Sequence, residues 1–369
     1  MRKQPIHTGQ HNRIAVVTFT VGVLLLPTQI GRACTAFCQE TDGVVLAAKN
    51  LDWYLDYGLL ITNKRGILKR AMLMNPREKA AVWTSKYGSV TFNQYGRENP
   101  LGGMNEVGLV VESLNLSETQ LPARDERSTV SFWIQYQLDN CRTLEEVIKS
   151  DKTIRIDPDF PVPSHYFVCD REGNTAIIEF LHGKFICHAG SDLPHKLITN
   201  HTCAASLGYL DGYLGFGGDR EIPYRSQDSL DRFVIAAERL RTCDADSLEE
   251  CVQYAFRTLV EVAQDEDIDT MWSIVYDLAN LRIHYKTTRC TETRTVDVRT
   301  LDFSSRTPVQ MININTPHVG LLNPHFADYD ADLNRWLLFY TVRHTPGFKE
   351  MPEDTIDSLA RYPETTFAK

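Results

Sequence analysis

Apolar and polar positions alternate along much of the chain after Cys34, which is typical of strands with one buried face. Two such segments, CTAFCQET and VVLAAKNLD, flank Asp42-Gly43, a pair that favours a β-hairpin turn. Further strands are predicted at LLITN, KRAMLMN, AVWTS and SVTFN. The segment PLGGMNEVGLVVESLNL predicts a strand, a turn and a strand, so this part of the chain is expected to form antiparallel sheet.

The hydrophobic period changes to that of a helix in STVSFWIQYQLDN, residues 128–140. Thr143 and Glu146 form a capping-box pattern that begins a second helix, LEEVIKS. Strands follow in HYFVCDREGNTAIIEFLHGKFICHA, and a second helical pair in SLDRFVIAAERLRT and SLEECVQYAFRTLVEVAQ, the latter opened by Ser247 and Glu250. The segments MWSIVYDLANLRIHYKT and RTVDVRTLDF return to strands. This order predicts an α+β protein with helices outside stacked antiparallel sheets.

Composition narrows the class of protein without indicating its chemistry. Of 369 residues, 43% are hydrophobic and 10% aromatic, which is enough for a sizeable core. The formal net charge is −9 and no basic run occurs, so no nucleic-acid partner is expected. No repeat, low-complexity stretch or linker divides residues 34–369, which we interpret as one domain. Residues 307–369 carry no pattern that indicates a role.

The first 33 residues have the pattern of a secretory signal peptide. The start is basic, residues 14–26 are a predominantly apolar run, and Gly31 and Ala33 are small residues at the spacing a signal peptidase reads. A membrane-spanning helix needs about 20 residues, so this run is too short to cross a bilayer. A buried core helix is the alternative, but the terminal position and basic flank favour a signal. We therefore expect cleavage after Ala33, no membrane span, and a secreted or periplasmic protein.

Such cleavage would make Cys34 the first residue, with a thiol and a free α-amine together. An α-amine titrates at about 7.7–8.0, so at neutral pH part of it is a base that can take the thiol proton. Cys34 is therefore a candidate nucleophile that needs no separate histidine. A disulfide partner also fits this position. So does the lipidated cysteine of a bacterial lipoprotein, although Gly31 and Arg32 do not match that signal.

The remaining cysteines suit an oxidising compartment, but their spacing does not define a pairing. They are eight, an even number: Cys38, Cys141, Cys169, Cys187, Cys203, Cys243, Cys251 and Cys290. After residue 33, no C-x-x-C pair and no histidine pair at helical spacing occurs, so no zinc site is expected.

Five motifs in order carry a resemblance to a known family: CTAF with KNLDW one hairpin later, GGMNEVGLVVESLNL, LITN, SLDRF and MWSIVYDLANLRIHY. The set resembles the choloylglycine hydrolase family of N-terminal-nucleophile hydrolases, which includes bile-salt hydrolases and penicillin V acylases. The resemblance extends from Cys34 to about Tyr285. It implies a four-layer αββα sandwich and hydrolysis of linear, non-peptide amides, such as bile-salt conjugates, penicillin V or acyl-homoserine lactones.

Carried over to this chain, the resemblance assigns Cys34 as the nucleophile and its own α-amine as the base. It assigns Asp52, in NLDW, to hold and orient that amine; by pattern alone Asp52 is a turn or strand-end residue. Asn115, closing ESLNL, and Asn200, closing LITN, match the family's oxyanion and substrate-positioning asparagines. Both asparagines also begin glycosylation sequons and fit ordinary turn chemistry.

Two cations complete the implied site. Arg232, in SLDRF, matches a family arginine whose guanidinium favours the thiolate; the alternative is that Asp231 simply neutralises it at the start of a helix. Lys49 stands in AKNLDW where the family usually has arginine. Lysine keeps the charge but lacks the planar fork. Lys49 is therefore expected to support the nucleophile less rigidly, or Arg232 to do so alone.

The leading interpretation is an exported cysteine amidohydrolase with a small-molecule N-acyl amide substrate and no metal or organic cofactor. One alternative is a catalytically silent relative that binds acylated ligands, and another is a lipid-anchored envelope protein. Family members are often tetrameric, so the resemblance suggests a homo-oligomer, although no residue pattern indicates one.

Overall fold

The computed structural model describes residues 34–41, 43–75, 77–159, 162–265 and 268–368. The predicted signal peptide, residues 1–33, lies outside the described residues, as does Asp42 of the predicted hairpin turn. Cleavage after Ala33 and the single-domain extent 34–369 therefore stay predictions.

Strands and helices alternate in blocks along the described chain. The strands are β1 Thr35–Thr41, β2 Val44–Trp53, β3 Leu59–Asn63, β4 Ile67–Arg70, β5 Val82–Thr84, β6 Ser89–Asn93, β7 Gly102–Asn105, β8 Val110–Asn115, β9 Ser128–Val130, β10 Ile154–Ile156, β11 Ser164–Cys169, β12 Thr175–Leu181, β13 Lys184–Ala189, β14 Leu197–Ile198, β15 Asp269–Asp277, β16 Arg282–Thr287, β17 Cys290–Asp297, β18 Gln310–Asn313, β19 Gly320–Leu321, β20 Ala327–Asp328 and β21 Phe367–Ala368. The helices are α1 Trp133–Asn140, α2 Leu144–Ser150, α3 Cys203–Leu210, α4 Ser229–Arg241, α5 Leu248–Glu261, α6 Ala331–His344 and α7 Glu353–Arg361.

Two large sheets form the centre of the fold. The first sheet has the order β14-β1-β2-β15-β16-β17-β19, antiparallel except for the short parallel pair β17/β19. The second sheet has the order β13-β12-β11-β8-β7-β6-β3-β18-β20 and is antiparallel throughout. Smaller sheets pair β9 with β10 and place β4 between β21 and β5. The predicted hairpin is present, because Thr41 of β1 pairs with Val44 of β2.

Strand alternation divides the core into layers, because successive side chains point to opposite faces. On β1, Ala36 belongs to the apolar cluster between the sheets, whereas Phe37 belongs to the cluster formed with α4 and α5. On β8, Val110 lies between the sheets and Val111 packs with α1 and α2. The result is helices, sheet, sheet, helices, which confirms the predicted α+β sandwich.

Two predicted helix starts are confirmed in detail. Thr143 caps α2 by accepting a hydrogen bond from the Glu146 backbone N–H at 3.3 Å. Ser247 caps α5 in the same way, from Glu250 N–H at 3.3 Å. Such caps satisfy donors that the helix leaves unpaired and contribute about 1 kcal/mol each.

Two local predictions were wrong and one helix was missed. The helix predicted over 128–140 begins only at Trp133, since Ser128–Val130 pairs in parallel with Ile154–Ile156. The strand predicted for KRAMLMN ends at Arg70. Helix α3 was not predicted. These segments are short, so pairing with distant partners outweighs their local propensity.

Residues 307–368, which showed no pattern of their own, add β18 and β20 to the second sheet, β19 to the first sheet and β21 to a smaller sheet. β18 pairs with β3 through Met311 and Ile61. From α6, Thr341 Oγ1 donates to the carbonyl of Gln94 at 2.9 Å. None of the helices in the described part of the chain combines the length and apolar character required to cross a membrane.

Candidate active site

Cys34 lies directly before β1, on the face of the first sheet that is covered by the second, and only 4% of it is exposed. Burial raises the pKa of its thiol to about 11; the charge of Lys49 opposes the increase and that of Asp52 adds to it. With its nitrogen still in a peptide bond, Cys34 is therefore a protonated thiol at neutral pH. A base is required to make it a nucleophile.

Asp52, near the end of β2, is fully buried, and one oxygen of its carboxyl group accepts a hydrogen bond. Thr270 Oγ1 donates to Asp52 Oδ1 at 2.5 Å. Asp52 Oδ2 lies 3.9 Å from Arg232 Nη1 and accepts no hydrogen bond from any described residue. Burial raises the pKa of Asp52 to about 7, although Arg232 and Thr270 act in the other direction. A buried acceptor of this kind is costly unless a donor or a cation reaches it.

Arg232 connects the parts of the site from the first turn of α4. Its Nη1 donates to the carbonyl of Cys34 at 3.1 Å and to Thr35 Oγ1 at 2.8 Å. Its Nη2 donates to Asn200 Oδ1 at 3.3 Å. The guanidinium is fully buried. One rigid cation thus fixes the backbone of Cys34 relative to the side chain of Asn200.

Asp231, the other explanation offered for the charge of Arg232, points elsewhere. Its carboxylate accepts hydrogen bonds from Tyr209 OH and Ser226 Oγ, each at 2.8 Å. Arg232 Nη1 instead lies 3.9 Å from the carboxyl oxygen Oδ2 of Asp52. The alternative of simple neutralisation by Asp231 is therefore not the arrangement adopted.

The two asparagines meet beside Arg232. Asn200 Nδ2 donates to the carbonyl of Asn115 at 2.9 Å, and Asn200 N–H donates to Ser229 Oγ at 2.8 Å. Asn115 Nδ2 donates to the carbonyl of Pro163 at 2.8 Å. Each primary amide has two N–H donors, and these contacts use one of each. A glycan on either Nδ2 would disrupt these contacts, which argues against the sequon interpretation.

Lys49 is fully buried and has a dedicated acidic partner. Its Nζ donates to Glu112 Oε2 and to the carbonyl of Ser113, both at 2.8 Å. Tyr276 OH donates to the other oxygen of Glu112. Gly102 leaves room for this carboxylate, since a Cβ there would lie 1.8 Å from Glu112 Oε2. Lys49 is therefore part of a buried hydrogen-bond network, and its positive charge lowers the pKa of the Cys34 thiol.

Thus Cys34, Asp52, Asn200 and Arg232 lie together, Asn115 contacts Asn200, and Lys49, on β2 of the first sheet, pairs with Glu112 of the second sheet. Their catalytic roles stay predictions. Sequence reasoning missed Glu112 and Thr270. Glu112 carried a usable signal, because a single acid inside the apolar run GLVVESLNL requires a buried partner. Thr270 carried none.

Among the described residues, eight cysteines are free thiols: Cys34, Cys38, Cys141, Cys169, Cys187, Cys203, Cys243 and Cys290. Cys38 Sγ and Cys169 Sγ are 3.8 Å apart, between the two sheets. Among the described residues, no group of three or more His, Cys, Asp or Glu side chains is placed to hold a metal ion.

A cavity of about 610 Å³ lies away from these groups, beside α3 and the end of α4. Its lining includes His195, Leu207, Phe216 and Arg241, but none of the six candidate site residues. This cavity is therefore not the candidate site, which is identified instead by the convergence of buried polar groups.

The chain is similar to known proteins in sequence and in fold. The profile of a family described as linear amide C–N hydrolases, choloylglycine hydrolase family, matches residues 34–215. Penicillin V acylase of Pectobacterium atrosepticum is 26% identical over 264 residues, which are 66% of this chain and 69% of that protein. The structure of penicillin V acylase from Agrobacterium tumefaciens has a TM-score of 0.69 and 25% identity, and the match covers 81% of this chain and 98% of that one. A variant of conjugated bile acid hydrolase from Clostridium perfringens, at 18% identity and a TM-score of 0.62 over 76% of this chain and 97% of that one, shares the fold.

Proposed function

Because the chain belongs to the choloylglycine hydrolase family of linear amide C–N hydrolases, we propose that it hydrolyses N-acyl amides with Cys34 as an N-terminal nucleophile. The observation that carries this proposal is the unpaired oxygen of Asp52. Asp52 Oδ2 is buried, lacks a donor among the described residues, and lies close enough to Cys34 to raise the pKa of its thiol. A liberated α-ammonium at Cys34 would supply both the hydrogen bond and the charge that this oxygen lacks.

The proposed reaction uses the amine as base and then as acid. The unprotonated α-amine takes the thiol proton, and Cys34 Sγ attacks the acyl carbon of the amide. The free N–H groups of Asn115 and Asn200 stabilise the oxyanion of the tetrahedral intermediate. The protonated amine then gives its proton to the leaving nitrogen, and the C–N bond breaks to leave a thioester on Cys34. A water molecule activated by the same amine hydrolyses the thioester and releases the acid.

Arg232 and Lys49 support this chemistry without touching the substrate. Arg232 fixes the Cys34 carbonyl and the Asn200 side chain, so the nucleophile and one oxyanion donor move together. Both cations lower the pKa of the thiol and so favour the thiolate. The buried Lys49–Glu112 pair holds a cation beside the nucleophile, which supports retained rather than decayed activity.

The first substrate class to test is the phenoxyacetyl amide, because the relatives that combine sequence and structural similarity are penicillin V acylases. Bile-salt conjugates, acyl-homoserine lactones and acyl ethanolamides complete the panel. The apolar segment and small residues before Cys34 support export with cleavage after Ala33. We therefore also propose a secreted or periplasmic location.

The test measures hydrolysis of this panel by the wild type, Cys34→Ser and Cys38→Ala. Cys38 is the matched control, since it lies on β1, which Cys34 directly precedes, and both cysteines belong to the buried cluster between the sheets. We expect turnover in the wild type and in Cys38→Ala, and none in Cys34→Ser. Absence of turnover by the wild type across the panel would favour a silent, ligand-binding relative. An added acyl mass on Cys34 would favour the lipid-anchored alternative.

A further inference from the structure

Three charged or titratable side chains of the second sheet lie beside the segment that presents Asn200. His165 is on β11, Glu179 is on β12 and His188 is on β13, and the first two are almost completely buried. Glu179 Oε2 bonds His188 Nε2 at 3.0 Å, and Glu179 Oε1 lies 3.5 Å from His165 Nδ1. The proposed mechanism assigns these residues no role.

The cluster holds the backbone on both sides of Asn200. His165 Nε2 is 2.8 Å from the carbonyl oxygen of Thr199, the residue before Asn200. Glu179 Oε1 accepts a hydrogen bond at 2.8 Å from the backbone N–H of Cys203, where α3 begins. Asn200 therefore sits on a short bridge whose two ends are fastened to adjacent strands of the opposite sheet.

The hydrogen-bond partner of His165 Nε2 shows that this ring nitrogen carries a proton. A carbonyl oxygen only accepts hydrogen bonds, so His165 Nε2 must carry a proton and donate it. His165 Nδ1 is buried, lies 3.5 Å from Glu179 Oε1 and has no hydrogen-bond partner among the described residues. Burial alone would raise the pKa of Glu179, but the two neighbouring histidines and the hydrogen bond from Cys203 N–H lower it to about 2, so Glu179 is an anion.

Resting on the proposed function, we propose that His165 and Glu179 are positioning residues that hold Asn200 in the orientation required for oxyanion stabilisation. The side chain of Asn200 is already tied to Asn115 and Arg232, and its N–H to Ser229. These contacts fix the amide only if the backbone beneath it is fixed as well. The His165–Glu179 pair supplies that anchor from the second sheet.

A double-mutant cycle with Asn200→Ala tests the proposal on an amide that the wild type hydrolyses. His165→Asn cannot reach the Thr199 carbonyl and should lower kcat by about 10- to 100-fold with little change in KM, the cost of a misplaced catalytic group. His165→Gln keeps a donor at the position of Nε2 and should retain more activity. In the Asn200→Ala background, His165→Asn should change kcat by no more than a factor of about two. His284→Asn, at a half-buried histidine bonded to Thr295 on the first sheet, is the control and should leave kcat unchanged.

The proposal would be overturned if the fold-loss of kcat in the double variant equalled the product of the losses in His165→Asn and Asn200→Ala. It would also be overturned if His165→Asn left kcat unchanged. Glu179→Gln provides a second variant if His165→Asn does not fold. Hydrogen exchange of peptides that cover residues 199–206 gives a readout that does not depend on activity. Exchange should accelerate in His165→Asn and not in His284→Asn. If the wild type hydrolyses no amide, the proposed function fails, and unchanged exchange would separately show that the anchor does not exist.

Discussion

Arg232 donates a hydrogen bond of 3.1 Å to the backbone carbonyl of Cys34, a residue 198 positions earlier in the chain. The same guanidinium reaches Asn200 Oδ1 and lies 3.9 Å from Asp52 Oδ2. Arg232 on α4 thus links the start of β1 to the segment that carries Asn200, beside the buried carboxyl of Asp52. The consequences of this arrangement can be measured through stability, thiol reactivity and turnover.

Arg232→Lys should destabilise the fold although it keeps the charge. A lysine ammonium cannot reach the Cys34 carbonyl, Thr35 Oγ1 and Asn200 Oδ1 from one position, so at least one buried acceptor is left unpaired, at a cost of about 1–3 kcal/mol. Urea unfolding measures this loss. Arg241→Lys, at the exposed end of the same helix, should change the free energy of unfolding by less than about 0.5 kcal/mol. Equal effects of the two substitutions would contradict the account.

Lys49→Met should markedly lower the free energy of unfolding. The change leaves the carboxylate of Glu112 buried without its cation, which costs about 3–5 kcal/mol in comparable cases. The double variant Lys49→Met/Glu112→Gln should recover part of the loss, because no buried charge then remains. Lys149→Met, which removes an exposed ion pair with Glu145, is the control and should be nearly neutral. A double variant that is less stable than Lys49→Met would be inconsistent with this explanation.

Asp52 should make the uncleaved chain less stable as pH rises. Its pKa is raised from 3.8 to about 7 by burial, so between these pH values the folded chain binds a proton that the unfolded chain releases. Its contribution to stability is therefore fully present below about pH 4, decreases up to about pH 7, and is then constant. The difference in unfolding free energy between wild type and Asp52→Asn isolates this effect, on the order of a few kcal/mol. A difference that is flat or grows with pH would show that the carboxyl is not placed as described.

Alkylation should distinguish Cys34 before and after release of its amine. Burial raises the pKa of the thiol to about 11 in the uncleaved chain, so reaction with iodoacetamide at pH 7 should be slow and should accelerate toward high pH. In a chain that begins at Cys34, the amine takes the thiol proton and the acceleration should occur near neutral pH. Peptide mapping of modified Cys34 against time gives both profiles. Identical profiles would mean that the amine does not act on the thiol.

The layered fold was predictable because strand and helix periods are local properties of the sequence. Segment 128–130 was assigned wrongly, since its strand depends on pairing with residues 154–156. The residues implied by family resemblance lie together, but their partners could not be foreseen. Glu112 meets Lys49 across 63 positions and Thr270 meets Asp52 across 218, and no local pattern encodes such distances. Buried polar contacts of this kind need the folded chain.

The most direct test of the central claim compares two chains that differ by one residue. One begins at Cys34 and the other keeps Ala33 before it; intact mass verifies each terminus, and hydrolysis of a phenoxyacetyl amide is measured for both. The account predicts turnover by the chain with the free Cys34 amine and none by the chain that retains Ala33. Equal turnover by both chains would contradict it, because the nitrogen of Cys34 would then be an amide that can neither accept the thiol proton nor bond Asp52 Oδ2 as a cation.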